Sequence, residues 1–198
     1  MDKYHLHWFT DELHTHAVSA LESFVRLRIL LADKATRQSK EVWSALQSFL
    51  THAAVVSKVL DPIRQDEATS ERSSALKKHL SVKDDSAFLP RAARDNLEHI
   101  DERIDRWVQK GQTKVLEMVL DDRAGYEYLV TDDVAVRRVL ILSEMVFVSE
   151  DRAGLRVETK LGPVVDDLTS LAKSCLHKLQ TESPYNYLLA EALRTFAR

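Results

Sequence analysis

The sequence predicts a mainly α fold: an antiparallel helical bundle with a small antiparallel β-hairpin or three-stranded meander ahead of its C-terminal helices. Three observations lead there. Apolar residues recur at three- and four-residue steps over most of the first 110 positions, the spacing that collects side chains onto one buried stripe of a helix. Short β-branched runs gather only after residue 130. Gly162-Pro163 and Pro184 then mark the openings of two further helices.

In chain order, Leu13, Ala17, Leu21, Phe24, Leu27 and Leu31 place a helix over 10–35, with Thr10 or Asp11 as N-cap. Ser39 caps a second helix that Asp61-Pro62 stops, because proline disfavours helical geometry in the residue before it. Val42, Leu46, Phe49, Ala53, Val56 and Leu60 form its main apolar row, and Trp43, Leu50 and Ala54 add a second side. Gln47, Thr51 and Lys58 interrupt that second side, a pattern suited to a wet cleft or a dimer seam. Residues 65–74 read as a linker or frayed start, 71–80 as a short helix and 81–86 as a loop. Pro90 to Trp107 reads as one amphipathic helix with Ala93, Leu97, Ile100, Ile104 and Trp107 buried, ending at Gly111. The alternating charges from Asp101 to Arg106 read as a salt-bridged exposed face.

Beyond it, Lys114–Leu120 is expected as a short helix and Asp121–Gly125 as a turn. Strands follow over Val134–Leu142, Met145–Val148 and Leu155–Thr159, with residues 150–154 as a hairpin connection. A helix over Val164–Gln180 and a last short one ending near Arg198 complete the chain. The expected organisation is a helical bundle over 1–112 and a hairpin with helices over 113–198, packed as one unit.

Composition narrows the function classes. Of 198 residues, 44% are hydrophobic and 30% charged, and no apolar run approaches the ~20 residues of a membrane span. The first eight residues lack the apolar core of a secretory signal, so a cytoplasmic protein with no membrane partner is expected. A net charge of −3 counts against a general nucleic-acid binder but leaves room for a local cationic cleft. Cys175, the single cysteine, excludes an internal disulfide and reads as a small buried hydrophobe. Four glycines build neither a Walker loop nor a dinucleotide fingerprint, and there is no Gly-x-Ser-x-Gly. His14 and His16 fall on different helix faces, and no His-Glu-x-x-His or Glu-x-x-His occurs, so no metal or cofactor is expected.

Acid/base chemistry remains. On one continuous helix, Asp95 and His99 lie within ~40° of each other, close enough for the carboxylate to fix the imidazole tautomer. Arg94 sits about 140° from His99, so a second copy of the motif or a neighbouring helix is needed to close the site, and a homodimer is expected. The motif's place near a helix N-terminus favours an anion such as phosphate. Arg91 in that first turn, with Gln47 and Lys58, completes the candidate substrate-binding set.

Arg94-Asp95-Asn96-Leu97-Glu98-His99 resembles the Arg-polar-x-x-x-His signature of the HEPN superfamily of small all-α proteins. Trp43 to Leu50, followed by Ser57-Lys58, is also similar to bacterial chains bearing that motif. The resemblance covers roughly residues 10–110. It implies a homodimeric, metal-independent endoribonuclease, a toxin or defence effector restrained by an antitoxin or regulatory protein. Arg94, Asp95 and His99 would be its catalytic residues and RNA its substrate. The other reading is a catalytically silent member of the same fold that binds a ligand or partner.

Overall fold

The computed structural model describes residues 1–64 and 66–185, apart from the side chains of Leu97 and Glu98. It is mainly helical, with a small four-stranded sheet. Helix α1 (Lys3–Ala32) begins seven residues before the expected start, because the Asp2 carboxylate accepts hydrogen bonds from the Tyr4 and His5 amides and caps it. Helix α2 (Lys40–Leu60) runs antiparallel to it: the contacts His16–His52, Ser23–Ser48 and Phe24–Phe49 keep a nearly constant sum of residue numbers. All nine apolar residues expected on its two sides are buried. Helix α3 (Glu67–Leu80), capped by Asp66, and helix α7 (Leu161–Thr181) close the bundle. Cys175 on α7 is fully buried, and burial pushes its thiol up to about 12. The expected helix after Pro184 lies outside the described residues.

The motif segment departs most from expectation. It forms two helices, α4 (Ala92–Glu98) and α5 (Ile100–Gln109), broken at His99, whose φ of −98° and ψ of 40° leave the helical region. The break rotates α5, so that Arg103 is buried at 1% exposure while Ile104 is 46% exposed, the reverse of the expected stripe. Trp107 and Ala93 are buried as expected. Gly111, at φ +65°, ends α5 as a left-handed C-cap, with the Gln112 amide donating back to the Trp107 carbonyl.

Residues Lys114–Leu120 form strand β1, not a helix. Leu, Glu and Met carry no strand preference of their own, and pairing with a neighbour decides the outcome. Residues 121–133 hold helix α6 (Arg123–Leu129), where only a turn was expected. It supplies the crossover that parallel strands require, since β1 lies parallel to β2 (Val134–Ile141). Strands β3 (Val146–Glu150) and β4 (Arg156–Lys160) add antiparallel in the order β1-β2-β3-β4, so the sheet is mixed rather than a simple antiparallel meander. A bulge at Arg137 shifts the β1–β2 register between Leu116–Val136 and Glu117–Arg138. One sheet face, with Val119, Leu140 and Phe147, joins the bundle core; the other, with Val139, Ile141 and Val148, packs on Tyr126 of α6. At the open side of β1, the Gln38 side chain both donates to the Val119 carbonyl (2.6 Å) and accepts from the Val119 amide (3.0 Å).

A polar seam crosses the α1–α2 interface. His16 Nε2 is 3.1 Å from Glu12 and its Nδ1 is 2.8 Å from His52 Nδ1. One hydrogen is shared between the two Nδ1 atoms, and the Glu12 carboxylate accepts from His16 Nε2–H. Burial, and then the neighbouring His16, hold His52 below its ordinary 6.5. The unfolded chain therefore takes up the His52 proton first: the stability that His52 contributes is complete above pH 6.5 and is lost as pH falls below it. Thermal midpoints measured from pH 8 to pH 5 are expected to fall more steeply for the native chain than for His52→Gln, which keeps a donor to His16.

Candidate functional site

Helix α4 and the turn between β3 and β4 face each other across a cleft of about 560 Å³ lined by Lys58, Ile63, Ala92, Arg94, Asp95, Asn96, His99, Asp151, Arg152 and Ala153. The turn is held in place by α5. Arg106 Nη1 donates to the carbonyls of Asp151 (2.9 Å) and Arg152 (2.6 Å), and its Nη2 reaches Glu150 Oε2 at 2.8 Å. Trp107 Nε1 donates to the same carboxylate oxygen, and the Val136 amide donates to the other. Gly154 lets the turn close beside this clamp, because its φ of +88° is a left-handed conformation that a side chain disfavours.

On the α4 wall, the largely buried Arg94 (18% exposed) donates from Nη1 to Asp95 Oδ1 at 2.9 Å. His99, 39% exposed, points Nδ1 toward Glu102 Oε1 at 3.3 Å, and Arg152 Nε reaches the other Glu102 oxygen at 3.1 Å. The His99 amide donates to the Asp95 carbonyl at 3.2 Å, but among the described residues no side-chain hydrogen bond joins the Asp95 carboxylate to the imidazole. The i,i+4 backbone bond is kept, but the Asp95 carboxylate pairs with Arg94, and Glu102, one turn into α5, stands against the imidazole instead. That leaves Nε2 as the ring nitrogen not engaged by Glu102. Three fixed cations, Lys58, Arg94 and Arg152, line the cleft against two carboxylates, Asp95 and Asp151. Glu102, against His99 and Arg152, adds a third carboxylate, so the cleft's fixed charges are balanced.

Of the six residues picked from sequence, the cleft brings together Arg94, Asp95, His99 and Lys58. Arg91 does not join them: its Nη1 donates to the Asp61 carbonyl at 2.9 Å, tying α4 to the end of α2, and it lines a separate hollow with Lys77, Asp84 and Asp85. Gln47 is exposed on α2 and lines neither. Helix α4 has seven residues, too few for the expected anion-binding N-terminus to count. Sequence reasoning missed Glu102 and Arg152, read as part of an exposed charged face and of a turn. Only their pairing across the cleft marks them out.

Among the described residues no group of three or more His, Cys, Asp and Glu side chains is placed to hold a metal ion, and no helix is long and apolar enough to cross a membrane. No protein-family model, curated protein or solved structure matches the chain.

Since Glu150 anchors the whole α5 wall, Glu150→Ala is expected to destabilise the fold by about 3–5 kcal/mol, the usual cost of leaving a buried charge partner uncompensated. Urea unfolding of the two chains measures it.

Proposed function

We propose that this cleft binds a phosphodiester of RNA and cleaves it by metal-independent acid/base chemistry, as a HEPN-type endoribonuclease. The observation that carries the reading is that Arg94 and His99 line one cleft with Lys58 and Arg152. In this reaction the substrate's 2′-hydroxyl oxygen attacks phosphorus while the bond to the 5′ oxygen breaks, giving a 2′,3′-cyclic phosphate and a 5′-hydroxyl. His99 Nε2 takes the proton from the nucleophile or gives one to the leaving oxygen. Arg94, with Lys58 beside it, stabilises the charge that develops on the phosphorane oxygens. Glu102 holds the imidazole, and Asp95 holds Arg94 rather than His99.

A homodimer belongs to the same proposal. Ile104, Val108 and Leu155 are exposed, and they would supply apolar area for a second copy. Restraint by an antitoxin or regulatory protein, and a cytoplasmic place of action on RNA as a toxin or defence effector, complete it. The silent-module reading draws support from the Arg94–Asp95 ion pair and from Glu102, which already engages both His99 and Arg152.

Cleavage of mixed RNA in excess chelator, with the ends mapped, decides between them. His99→Ala is expected to lower the rate ~10²–10⁴-fold. Arg94→Lys is expected to be nearly as harmful, because lysine lacks the planar two-point donor. Glu102→Gln is expected to cost more than Asp95→Asn. Cleavage that needs a metal, or that survives His99→Ala, would refute the ribonuclease reading; no cleavage at all favours the silent module. Sedimentation at micromolar concentration tests the dimer, and an active monomer would exclude its necessity.

A further inference from the structure

Behind the α4 wall lies Arg103, the largest fully buried side chain among the described residues. A buried guanidinium is expensive: removing a charge from water costs several kcal/mol, and an apolar residue of similar volume is often no less stabilising. Burial, and then the adjacent Arg106 charge, lower its proton affinity, while Glu150, Glu102 and Asp151 oppose that shift. Filling of the core does not account for such a group. Its hydrogen bonds do indicate a use. Nη2 donates to the Asp95 carbonyl at 3.3 Å and to Asn96 Oδ1 at 3.2 Å. Asn96 Nδ2 in turn donates to the buried Ser149 Oγ of β3 at 3.0 Å. Both acceptors lie in the stretch between Arg94 and His99. From α5, then, one side chain ties the end of α4 to its own helix and, through Asn96, to the sheet.

We infer that Arg103 is a positioning residue of the cleft: through Asp95 and Asn96 it fixes the end of α4, the wall that carries the imidazole and the Arg94 guanidinium. The inference deepens, and rests on, the ribonuclease reading. Arg103 touches no substrate, and its effect passes through the placement of groups that do. Small misplacement of such groups is costly, about 10²-fold in rate for ~1 Å.

The test compares the native chain with Arg103→Met, Arg103→Lys and Ser149→Ala. Three readouts are taken: RNA cleavage split into kcat and KM, the thermal midpoint, and the His99 imidazole NMR signals during titration with inorganic phosphate. Arg103→Met is expected to keep or raise the thermal midpoint while kcat falls about 10²-fold, with KM little changed and the His99 response to phosphate altered. Arg103→Lys, which keeps a charge and a donor, is expected to recover part of kcat. A folded Arg103→Met with native kcat and a native phosphate response overturns the inference.

Should Arg103→Met fail to fold, Ser149→Ala decides. That variant removes only the far acceptor of the chain: a several-fold fall in kcat upholds the inference and a native kcat overturns it. Should the native chain cleave no RNA, the ribonuclease reading falls and the phosphate titration alone judges Arg103. A His99 response present in the native chain and lost in Arg103→Met upholds positioning. The same response in both, or none in the native chain, overturns it.

Discussion

The Glu150 carboxylate is the point on which the second half of the structure hangs. The β2–β3 ladder pairs only Val139–Ile141 with Val146–Val148, so beyond it the Val136 amide needs another acceptor. Glu150 Oε1 provides it, and Oε2 accepts from Arg106 and Trp107 of α5. With three donors the buried carboxylate is compensated, the condition under which burying it is tolerable. Helix α5 is therefore attached to the sheet by directed polar bonds more than by an apolar stripe. Such bonds set a specific rotation of the helix about its axis, which a greasy face leaves looser. That rotation buries Arg103, exposes Ile104 and brings Arg106 under the β3–β4 turn.

The break at His99 separates α4 from α5, whose rotation is set by those bonds. A continuous helix would keep Arg94 and His99 on different sides, as the 100° step per residue requires. Helical hydrogen bonding is kept up to the His99 amide, and the cleft is broad enough for both residues to line it from one chain. The break also changes the imidazole's neighbour. The side chain of Glu102 in the first turn of α5 stands where Asp95 was expected to stand, and it engages Arg152 from the opposite wall.

Much of the bundle was legible because helix periodicity is a local property. The α2 rows and Asp61-Pro62 as its end could be read from residue spacing and proline sterics, and Ser39 stands at its N-cap position although its hydroxyl makes no capping bond. Strand β1 could not. Its apolar residues fit a helical turn as well as a strand, and only the parallel partner at Val134–Ile141, across a thirteen-residue crossover, selects the extended form. The site was half legible. Arg94 and His99 stood out through the resemblance of their six-residue stretch to a known motif and Lys58 as a polar break in an apolar side, while Glu102 and Arg152 looked like ordinary surface charges because their meaning lies in a contact between distant segments. Arg103 was hidden for a further reason: an arginine in an alternating charge run reads as solvated, and nothing local announces that its neighbours have turned it inward.

The bonds from Gln38 to Val119 bear on how copies of this chain meet. Residues of a strand point their amide and carbonyl groups to alternate sides, so Val115, Glu117 and Val119 face away from β2. A foreign strand seeking to extend the sheet there needs those groups. At Val119 both are already taken, by a side-chain amide that carries one donor and one acceptor at the spacing a strand would offer. Only a stub of the edge is left as a template, too short to seed fibrous growth, and crowding in concentrated solution is less able to convert this folded protein into a polymer through β1.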